Sequence, residues 1–194
     1  MEIQQPFRCP WCLKDPDYQH YHDTEWGVPL RDSKKLFSLL VLEGAQAGLS
    51  WITILKRRQG YLAAMNDLNP EAIARYTEED ISRLLLNTGI IRNRRKLESA
   101  VVNARAFLAM QDKGEDFSEW LWSWVDGRPI VNYWKHLSEI PPATPLSETI
   151  SLELKRRGFT FVGPTIIYAY MQSAGLVNDH LVDCYRHGEL ISGA

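Results

Sequence analysis

The chain has 194 residues and carries 22 Lys and Arg against 24 Asp and Glu, a formal net charge of −2 at pH 7. This balance gives no overall positive field of the kind that indicates a nucleic-acid or anionic-membrane partner, and a composition of 45% hydrophobic and 24% charged residues excludes a disordered polymer. The odd count of 3 cysteines argues against a secreted disulfide framework, and the chain has neither a signal-peptide-like start nor a long apolar run, so we expect a soluble, cytoplasmic protein without a membrane partner.

Helix signals follow one another along the middle of the chain. The first predicted helix covers 33–47, with Asp32 or Ser33 as its N-cap, and its apolar residues run nearly all round, which indicates a buried helix. A second helix is predicted over 50–58, starting at Ser50. The remaining predicted helices are 70–76 with Pro70 in the first turn, 77–86 with Thr77 and Asp80 in capping-box spacing, Arg92 to about Gln111, 117–125, 147–157, 165–173 after Pro164, and a short one near 179–185.

The order of these elements predicts an all-α fold. Strand-like alternation is confined to residues 159–163. We expect one compact unit, 1–194, with two helical lobes: about 1–32 together with 165–190 form one lobe, and 33–164 form the other.

Potential metal ligands lie near both ends of the chain. The N-terminal candidates are Cys9, Cys12, His20 and His22, and the C-terminal candidates are His180, Cys184 and His187. His180 and Cys184 are four residues apart, so on a helix they would share one face. Tetrahedral zinc requires four donors, and we favour Cys9, His22, His180 and Cys184 as a structural site that joins the two ends. The alternative is a set of buried thiols and surface imidazoles, and Cys12 could be a ligand, a redox partner or a bystander.

Glu43 lies within the apolar stripe of the predicted helix 33–47. A carboxylate at such a position requires a partner, because stranding its charge away from water is costly. One interpretation is a structural salt bridge to an arginine elsewhere in the chain. The other is a pocket-wall carboxylate that accepts hydrogen bonds from a ligand, for instance a cationic one.

Aromatic residues are concentrated on both sides of Glu43 in the sequence. They are Trp11, Tyr18, Tyr21 and Trp26 before it and Trp51 after it. A carboxylate surrounded by such rings suits a flat, electron-poor ligand held by stacking and cation–π attraction, although many aromatic clusters are simply core. The second tryptophan group is interpreted as packing at a helix interface and consists of Trp120, Trp122, Trp124 and Trp134.

Local basic runs partly offset the neutral total charge. They occur at 56–58, 92–96 and 155–157, and such runs are usually solvated helix faces. The run at 92–96 is more informative, because it follows a break at Gly89 between two predicted helices. A glycine-containing hairpin that leads into a helix N-terminus offers backbone N–H groups to a DNA phosphate. The segment lacks the second glycine of the usual helix–hairpin–helix form.

Several stretches together resemble the bacterial DNA-3-methyladenine glycosylase I family. They include YHDTEWG, LEGAQAGLSW, GIIRNRRKL, KRRGFTFVGPT and GLVNDH, and the resemblance covers roughly residues 7–186. It implies a helix–hairpin–helix glycosylase fold with structural Zn²⁺ on Cys9, His22, His180 and Cys184. It also implies a base pocket formed by Trp11, Tyr18, Tyr21, Glu43 and Trp51, and a duplex-inserting loop near Gly48 and Leu49.

The resemblance implies base-excision repair of double-stranded alkylated DNA. The expected reaction is hydrolysis of the N-glycosidic bond of 3-methyladenine, which releases the free base and leaves an abasic site without strand cleavage. Glu43 is the expected catalytic residue, and Gly89, Arg92 and Arg94 are expected to contact the DNA backbone; we expect a monomer. Asp112, where related glycosylases outside this family carry a catalytic aspartate, is interpreted as a surface residue. The competing classes are a non-catalytic helix–hairpin–helix DNA-binding module and a zinc-stapled interaction protein.

Overall fold

The computed structural model describes residues 6–192, and this part of the chain is mostly helical. It contains eleven α-helices: α1 Pro16–Thr24, α2 Ser33–Gln46, α3 Trp51–Leu55, α4 Arg58–Ala64, α5 Pro70–Ile73, α6 Glu78–Leu86, α7 Arg94–Gln111, α8 Phe117–Ser123, α9 Pro145–Arg156, α10 Pro164–Ser173 and α11 Tyr185–Ser192. Short 3-10 turns occur at Pro10–Cys12, Asn66–Leu68 and Leu137–Glu139. Two short strands, β1 Ile130–Val131 and β2 Val177–Asn178, pair in parallel. In residues 6–192, none of these helices is both long and apolar enough to cross a bilayer.

Local sequence signals account for most of the helix starts. The Asp32 carboxylate accepts from the Lys35 N–H and caps α2, which decides between the two predicted N-caps. Thr77 and Asp80 form the predicted capping box of α6. Pro70 and Pro164 occupy the first turns of α5 and α10, where a missing N–H costs nothing.

Helix α2 forms the centre of the molecule. It packs against α3, α5, α7, α8 and α10, and its residues Leu36, Phe37 and Leu40 are almost fully buried. Buried apolar side chains taken from Tyr21 through Val177 pack together into one continuous hydrophobic core. Because that core spans both predicted lobes, the lobe boundaries stay a prediction.

The first helix, α1, was not predicted from the sequence. It has almost no aliphatic residues, so it gives little hydrophobic periodicity. Its start is nevertheless encoded locally: the Asp15 carboxylate accepts from the N–H groups of Asp17 (2.9 Å) and Tyr18 (3.4 Å), and Pro16 occupies the first helical position. Residues 159–163, which carry the strand-like alternation, do not form a strand, and Phe161 among them has a φ of 54°.

The helix predicted near 179–185 is wrong, because residues 179–184 lie outside any helix and α11 begins only at Tyr185. The cause is Asp179, whose carboxylate is buried and turned inward. Four side chains donate to it: Asn132 (2.7 Å), Trp134 (2.8 Å), Tyr168 (2.6 Å) and Gln172 (2.8 Å). These hydrogen bonds hold the segment after β2 in an irregular conformation, because a helix there could not bring the Asp179 carboxylate to all four donors.

Trp120, Trp122 and Trp124 contribute to helix packing, as interpreted from the sequence, whereas Trp134 lies outside any helix and packs against the cluster of Cys9, Leu181 and Cys184. Trp122 is buried and donates to the Leu30 carbonyl at 2.8 Å. The rings of Trp120 and Trp124 meet edge to face, with centroids 6.1 Å apart. Asp112 caps the C-terminus of α7 and is exposed, which agrees with its interpretation as a surface residue.

Candidate active site and metal centre

A cavity of about 230 Å³ opens beside the C-terminal half of α2. Its wall contains all five residues that were predicted to form a base pocket: Trp11, Tyr18, Tyr21, Glu43 and Trp51. They come from the first 3-10 turn, α1, α2 and α3. The fold therefore brings these residues, which are spread over forty positions of sequence, to one concave site.

Among residues 6–192, Glu43 is the only one that brings a carboxylate to the wall of this cavity. Its side chain is buried, and its Oε1 accepts a hydrogen bond of 2.6 Å from the Ser173 hydroxyl on α10. Burial raises the pKa of Glu43 to about 8, and the Ser173 hydrogen bond acts in the opposite direction. Within residues 6–192 no cationic side chain forms an ion pair with it, which contradicts the salt-bridge interpretation.

Three polar atoms of the cavity wall are buried without a hydrogen-bond partner among the described residues. They are Oε2 of Glu43, the hydroxyl of Tyr21 and the indole N–H of Trp51. Each such group costs about 1–3 kcal/mol when it is left unpaired. The site is consequently suited to a ligand that supplies hydrogen-bond donors and acceptors together with a flat surface.

The aromatic rings around Glu43 pack against one another in two pairs. Trp11 and Tyr18 have centroids 4.7 Å apart, and Tyr21 and Trp51 have centroids 5.6 Å apart. This mutual packing restricts the rings before any ligand arrives. Little side-chain entropy then remains to be lost when a planar molecule binds.

The four favoured metal ligands meet at one buried point behind this wall. The ligand atoms of Cys9, His22, His180 and Cys184 all lie within 4.8 Å of one another. His22 Nε2 lies 3.2 Å from His180 Nδ1 and 3.4 Å from Cys184 Sγ. Two thiols and two imidazoles at these distances could hold one tetrahedral metal ion.

The outer contacts of the two histidines support this interpretation. Nδ1 of His22 lies 2.8 Å from the Asp23 carboxylate, and Nε2 of His180 lies 3.1 Å from the Trp26 carbonyl. Both of these oxygens only accept, so each proton lies on the outer nitrogen. With these outer nitrogens as the donors, the inner nitrogens of the two rings face each other and the thiols with their lone pairs, an arrangement that a cation stabilises.

The other candidate ligands lie outside this cluster. The Cys12 thiol donates to the Cys9 carbonyl at 3.1 Å, and burial raises its pKa to about 11. His20 is exposed, and His187 contacts the Asn132 carbonyl at 2.7 Å. Cys12 is accordingly a structural thiol rather than part of the four-ligand group.

Trp26 connects the Cys/His cluster to the cavity. Its backbone carbonyl accepts from His180, its ring meets the His180 ring at a centroid distance of 4.6 Å, and it contacts Trp11 at 5.0 Å. Trp11 and Trp26 both line the cavity, so the Cys/His cluster supports this part of the cavity wall from its far side.

The loop that follows α2, residues 47–50, lies between the cavity-lining residues Gln46 and Trp51, and its residues 48–50 are exposed. Gly48 has a φ of +78°, which most other residues would adopt only with strain. This turn leaves the Leu49 side chain 39% exposed. An exposed leucine at a glycine turn matches the position expected of a duplex-inserting residue, and its role stays a prediction.

The 87–93 turn joins α6 to α7 and is held by several contacts with α4. The Gly89 N–H donates to Asn87 Oδ1 at 2.8 Å, and the Ile91 N–H donates to the Tyr61 hydroxyl at 3.2 Å. Gly60 lies so close that a Cβ on it would be 2.3 Å from the Gly89 carbonyl oxygen. The turn is thus fixed against the body of the protein at the N-terminus of a long helix.

The two predicted DNA-contacting arginines differ in their surroundings. Arg92 is exposed and forms no ion pair within residues 6–192. Arg94 forms ion pairs with Glu78 (2.6 Å) and Glu98 (3.4 Å). These pairs are exposed and therefore weak, so a phosphate can replace the carboxylates.

Sequence reasoning left Trp26, Gln172 and Ser173 out of the site. Trp26 was counted among the aromatic residues near Glu43 but not assigned to the pocket. Gln172 and Ser173 end α10, about 130 residues from Glu43, and nothing local marks them. Only the packing of α10 on α2 brings them to the cavity.

Comparison with known proteins identifies the family to which the chain belongs. Residues 11–187 match the methyladenine glycosylase family. DNA-3-methyladenine glycosylase 1 of Escherichia coli K12 is 52% identical over 177 residues, which cover 91% of this chain and 95% of that protein. A crystal structure of 3-methyladenine DNA glycosylase I, 52% identical, has a TM-score of 0.91 and covers 92% of this chain and 98% of its own. The Staphylococcus aureus enzyme, solved to study 3-methyladenine recognition, is 42% identical with a TM-score of 0.88 over 92% of this chain and 95% of its own. The chain belongs to the methyladenine glycosylase family.

Proposed function

We propose that this protein is a monofunctional DNA glycosylase that removes 3-methyladenine from alkylated double-stranded DNA during base-excision repair. The observation that carries the proposal is the unpaired Oε2 of Glu43 in an aromatic cavity, next to the unpaired polar atoms of Tyr21 and Trp51. The names and the structures of the relatives support the same substrate.

The reaction needs little acid catalysis from the protein. Methylation at N3 gives adenine a positive charge and weakens its bond to the sugar. When the C1′–N9 bond breaks, the electron pair stays on N9 and the base leaves as neutral 3-methyladenine. Water then forms a bond to C1′ and loses a proton to solvent, which leaves an abasic site.

Glu43 would select the cationic base. Its free oxygen can accept hydrogen bonds from the exocyclic amine edge, and its negative form favours a methylated adenine over a neutral one. Trp11, Tyr21 and Trp51 would hold the ring by stacking, which contributes about 1–3 kcal/mol per base. The active site is thus complementary to the charge that distinguishes the lesion from the normal base.

The damaged nucleotide must leave the duplex before it can reach this cavity. Extrusion costs a few kcal/mol, and less where pairing is already weakened. We propose that Gly48 and Leu49 fill the gap in the stack, as apolar wedges do elsewhere. The 87–93 turn with Gly89, together with Arg92 and Arg94, would hold the DNA backbone in the manner of a helix–hairpin–helix element.

Zinc is the metal that we propose for the Cys/His cluster. Cys9, His22, His180 and Cys184 would fill all four positions of a tetrahedral ion, so no position would remain for water or substrate. Its role would be structural, joining Cys9 and the α1 residue His22 to the segment before α11. The predicted lobes, monomeric state and cytoplasmic location remain predictions.

The proposed function is tested by incubating the protein with methylated duplex DNA and separating the released bases. We expect free 3-methyladenine, abasic sites that alkali cleaves, and intact strands before alkali. A protein that binds the duplex but releases no base would instead be a DNA-binding module. A protein that neither binds the duplex nor releases base would support the interaction-protein alternative.

A further inference from the structure

Lys96 belongs to the basic run 92–96, yet it does not face solvent as a phosphate ligand would. It lies in the first turn of α7, and its side chain is half-buried. Its Nζ donates to the carbonyls of Ala45 (2.8 Å) and Ala47 (2.6 Å). Lys96 therefore binds the C-terminal end of α2, where the unpaired carbonyls and the helix dipole attract a cation.

This contact lies between the two segments that are expected to touch DNA. On one side, the 87–93 turn leads into α7 through Asn93, whose side chain caps the helix by accepting from the Lys96 N–H at 3.2 Å. On the other side, Ala47 begins the loop that carries Gly48 and Leu49.

The 47–50 loop has few other contacts to hold it. Within residues 6–192, Leu49 forms hydrogen bonds only with the end of its own helix: its N–H donates to the Gln46 carbonyl, and its carbonyl accepts from the Gln46 amide at 3.4 Å. A Cβ on Gly48 would meet nothing within 4 Å. Among the described residues, Lys96 is the charged group that binds the carbonyls on both sides of the α2 terminus.

We propose that Lys96 is a positioning residue that couples the 87–93 turn to the 47–50 loop. When the turn holds the DNA backbone, Lys96 would keep Leu49 at a fixed place relative to it, where the gap left by the extruded nucleotide opens. The inference rests on the proposed function and assigns Lys96 a role different from that of its exposed neighbours Arg92 and Arg95.

The test compares Lys96→Met with Lys96→Arg and with Arg95→Met. Lys96→Met keeps the alkyl stem but removes the ammonium, and Lys96→Arg restores a cation. Arg95→Met removes the same charge from an exposed position of the same run. Single-turnover base release is measured on duplexes with 3-methyladenine opposite thymine and opposite a mismatched base, which is cheaper to extrude.

We expect Lys96→Met to slow release from the paired duplex by about tenfold or more. The loss should be smaller on the mismatched duplex, and quenching of tryptophan fluorescence by free 3-methyladenine should be unchanged. Lys96→Arg should recover most of the activity. Arg95→Met should weaken binding equally to both duplexes and reduce its salt dependence.

Amide hydrogen exchange on the DNA-free protein provides a readout that does not depend on catalysis. Lys96→Met should accelerate exchange in the 47–50 loop, and Lys96→Arg should not. If exchange there is unchanged, or if both duplexes lose activity equally, the positioning role is wrong. A Lys96→Met defect that matches Arg95→Met in salt dependence would make Lys96 a phosphate ligand. If the wild-type protein releases no base, the proposed function is wrong. Faster amide exchange of the 47–50 loop in Lys96→Met would still support the contact between Lys96 and the α2 terminus.

Discussion

In the proposed mechanism the chemistry of the site depends on Glu43, because among the described residues it supplies the one carboxylate in a wall rich in aromatic rings. Its burial opposes ionisation, whereas a cationic base requires the ionised form. The Ser173 hydroxyl, 2.6 Å away, stabilises that form. The local balance between burial and this hydrogen bond therefore sets the pH range in which the site can attract its substrate.

Ser173→Ala should shift the pH dependence of activity. Since the pKa of Glu43 in the free protein is about 8, kcat/KM on the methylated duplex should rise with pH up to that region. Loss of the hydrogen bond raises the pKa further, so the rise should move to higher pH. Ser173→Thr keeps a hydroxyl and should leave the profile near that of the wild type. Superimposable profiles for all three proteins would show that Ser173 does not act on Glu43.

Glu43→Gln should stabilise the free protein increasingly as pH rises. The pKa of Glu43 is about 8 in the folded state, against 4.5 for a glutamate in an unfolded chain, so below about pH 4 both states are protonated and the penalty vanishes. As pH rises from about 4.5 towards 8, Glu43 ionises in the unfolded chain but stays protonated in the folded protein. The wild type therefore loses stability relative to Glu43→Gln, on the order of 3 kcal/mol by pH 7. Urea unfolding at several pH values checks this. A constant difference between the two proteins would contradict the raised pKa.

At the scale of secondary structure, the 87–93 turn depends on its close contact with α4. Gly60 must be glycine there, because a Cβ would lie 2.3 Å from the Gly89 carbonyl oxygen. Backbone atoms form this contact on both sides, so neither α4 nor the turn can move away without a shift of its main chain. The position of the turn is thus fixed by a residue that would not itself touch DNA.

Gly60→Ala should displace the turn and weaken binding to duplex DNA by about tenfold, with a loss of about 1–3 kcal/mol in stability. Quenching by free 3-methyladenine should persist, because the cavity is built by other elements. Gly188→Ala is the matched control, since a Cβ on Gly188 meets nothing within 4 Å. Duplex-binding assays and thermal unfolding of both variants test this. Equal DNA affinity and equal stability of Gly60→Ala and Gly188→Ala would refute the packing argument.

The sequence predicted elements with local signals better than elements defined by distant contacts. The caps at Asp32 and Thr77 and the breaks at prolines are local, and their helices were placed correctly. Residues 179–184 carry helical spacing, but the buried Asp179 and its four distant donors override it. The five predicted pocket residues could be placed through the family resemblance, whereas Ser173 and Gln172 reach the cavity only through the packing of α10 on α2, which no local pattern encodes.

At the scale of the whole molecule, the Cys/His cluster joins segments separated by about 170 residues and supports the cavity through Trp26. A metal ion bound there would stabilise the folded chain, because the unfolded chain does not assemble the four ligands. Stability and base binding should consequently depend on the same ion.

Elemental analysis should find one zinc ion per chain, and its removal by a strong chelator should lower the melting temperature and weaken base binding. Cys184→Ser should do the same, since it removes a ligand. Cys12→Ser, which alters a buried thiol outside the cluster, should retain the metal. Metal-free protein with an unchanged melting temperature would exclude a structural ion.

The most direct test of the account compares single-turnover release of 3-methyladenine from duplex DNA by wild-type protein, Glu43→Gln and Trp51→Ala, together with binding to an abasic duplex. The account predicts that both variants release base about 10–100-fold more slowly, while their affinity for the abasic duplex stays within about twofold of wild type. Release at the wild-type rate by both variants would contradict the assignment of this cavity as the active site.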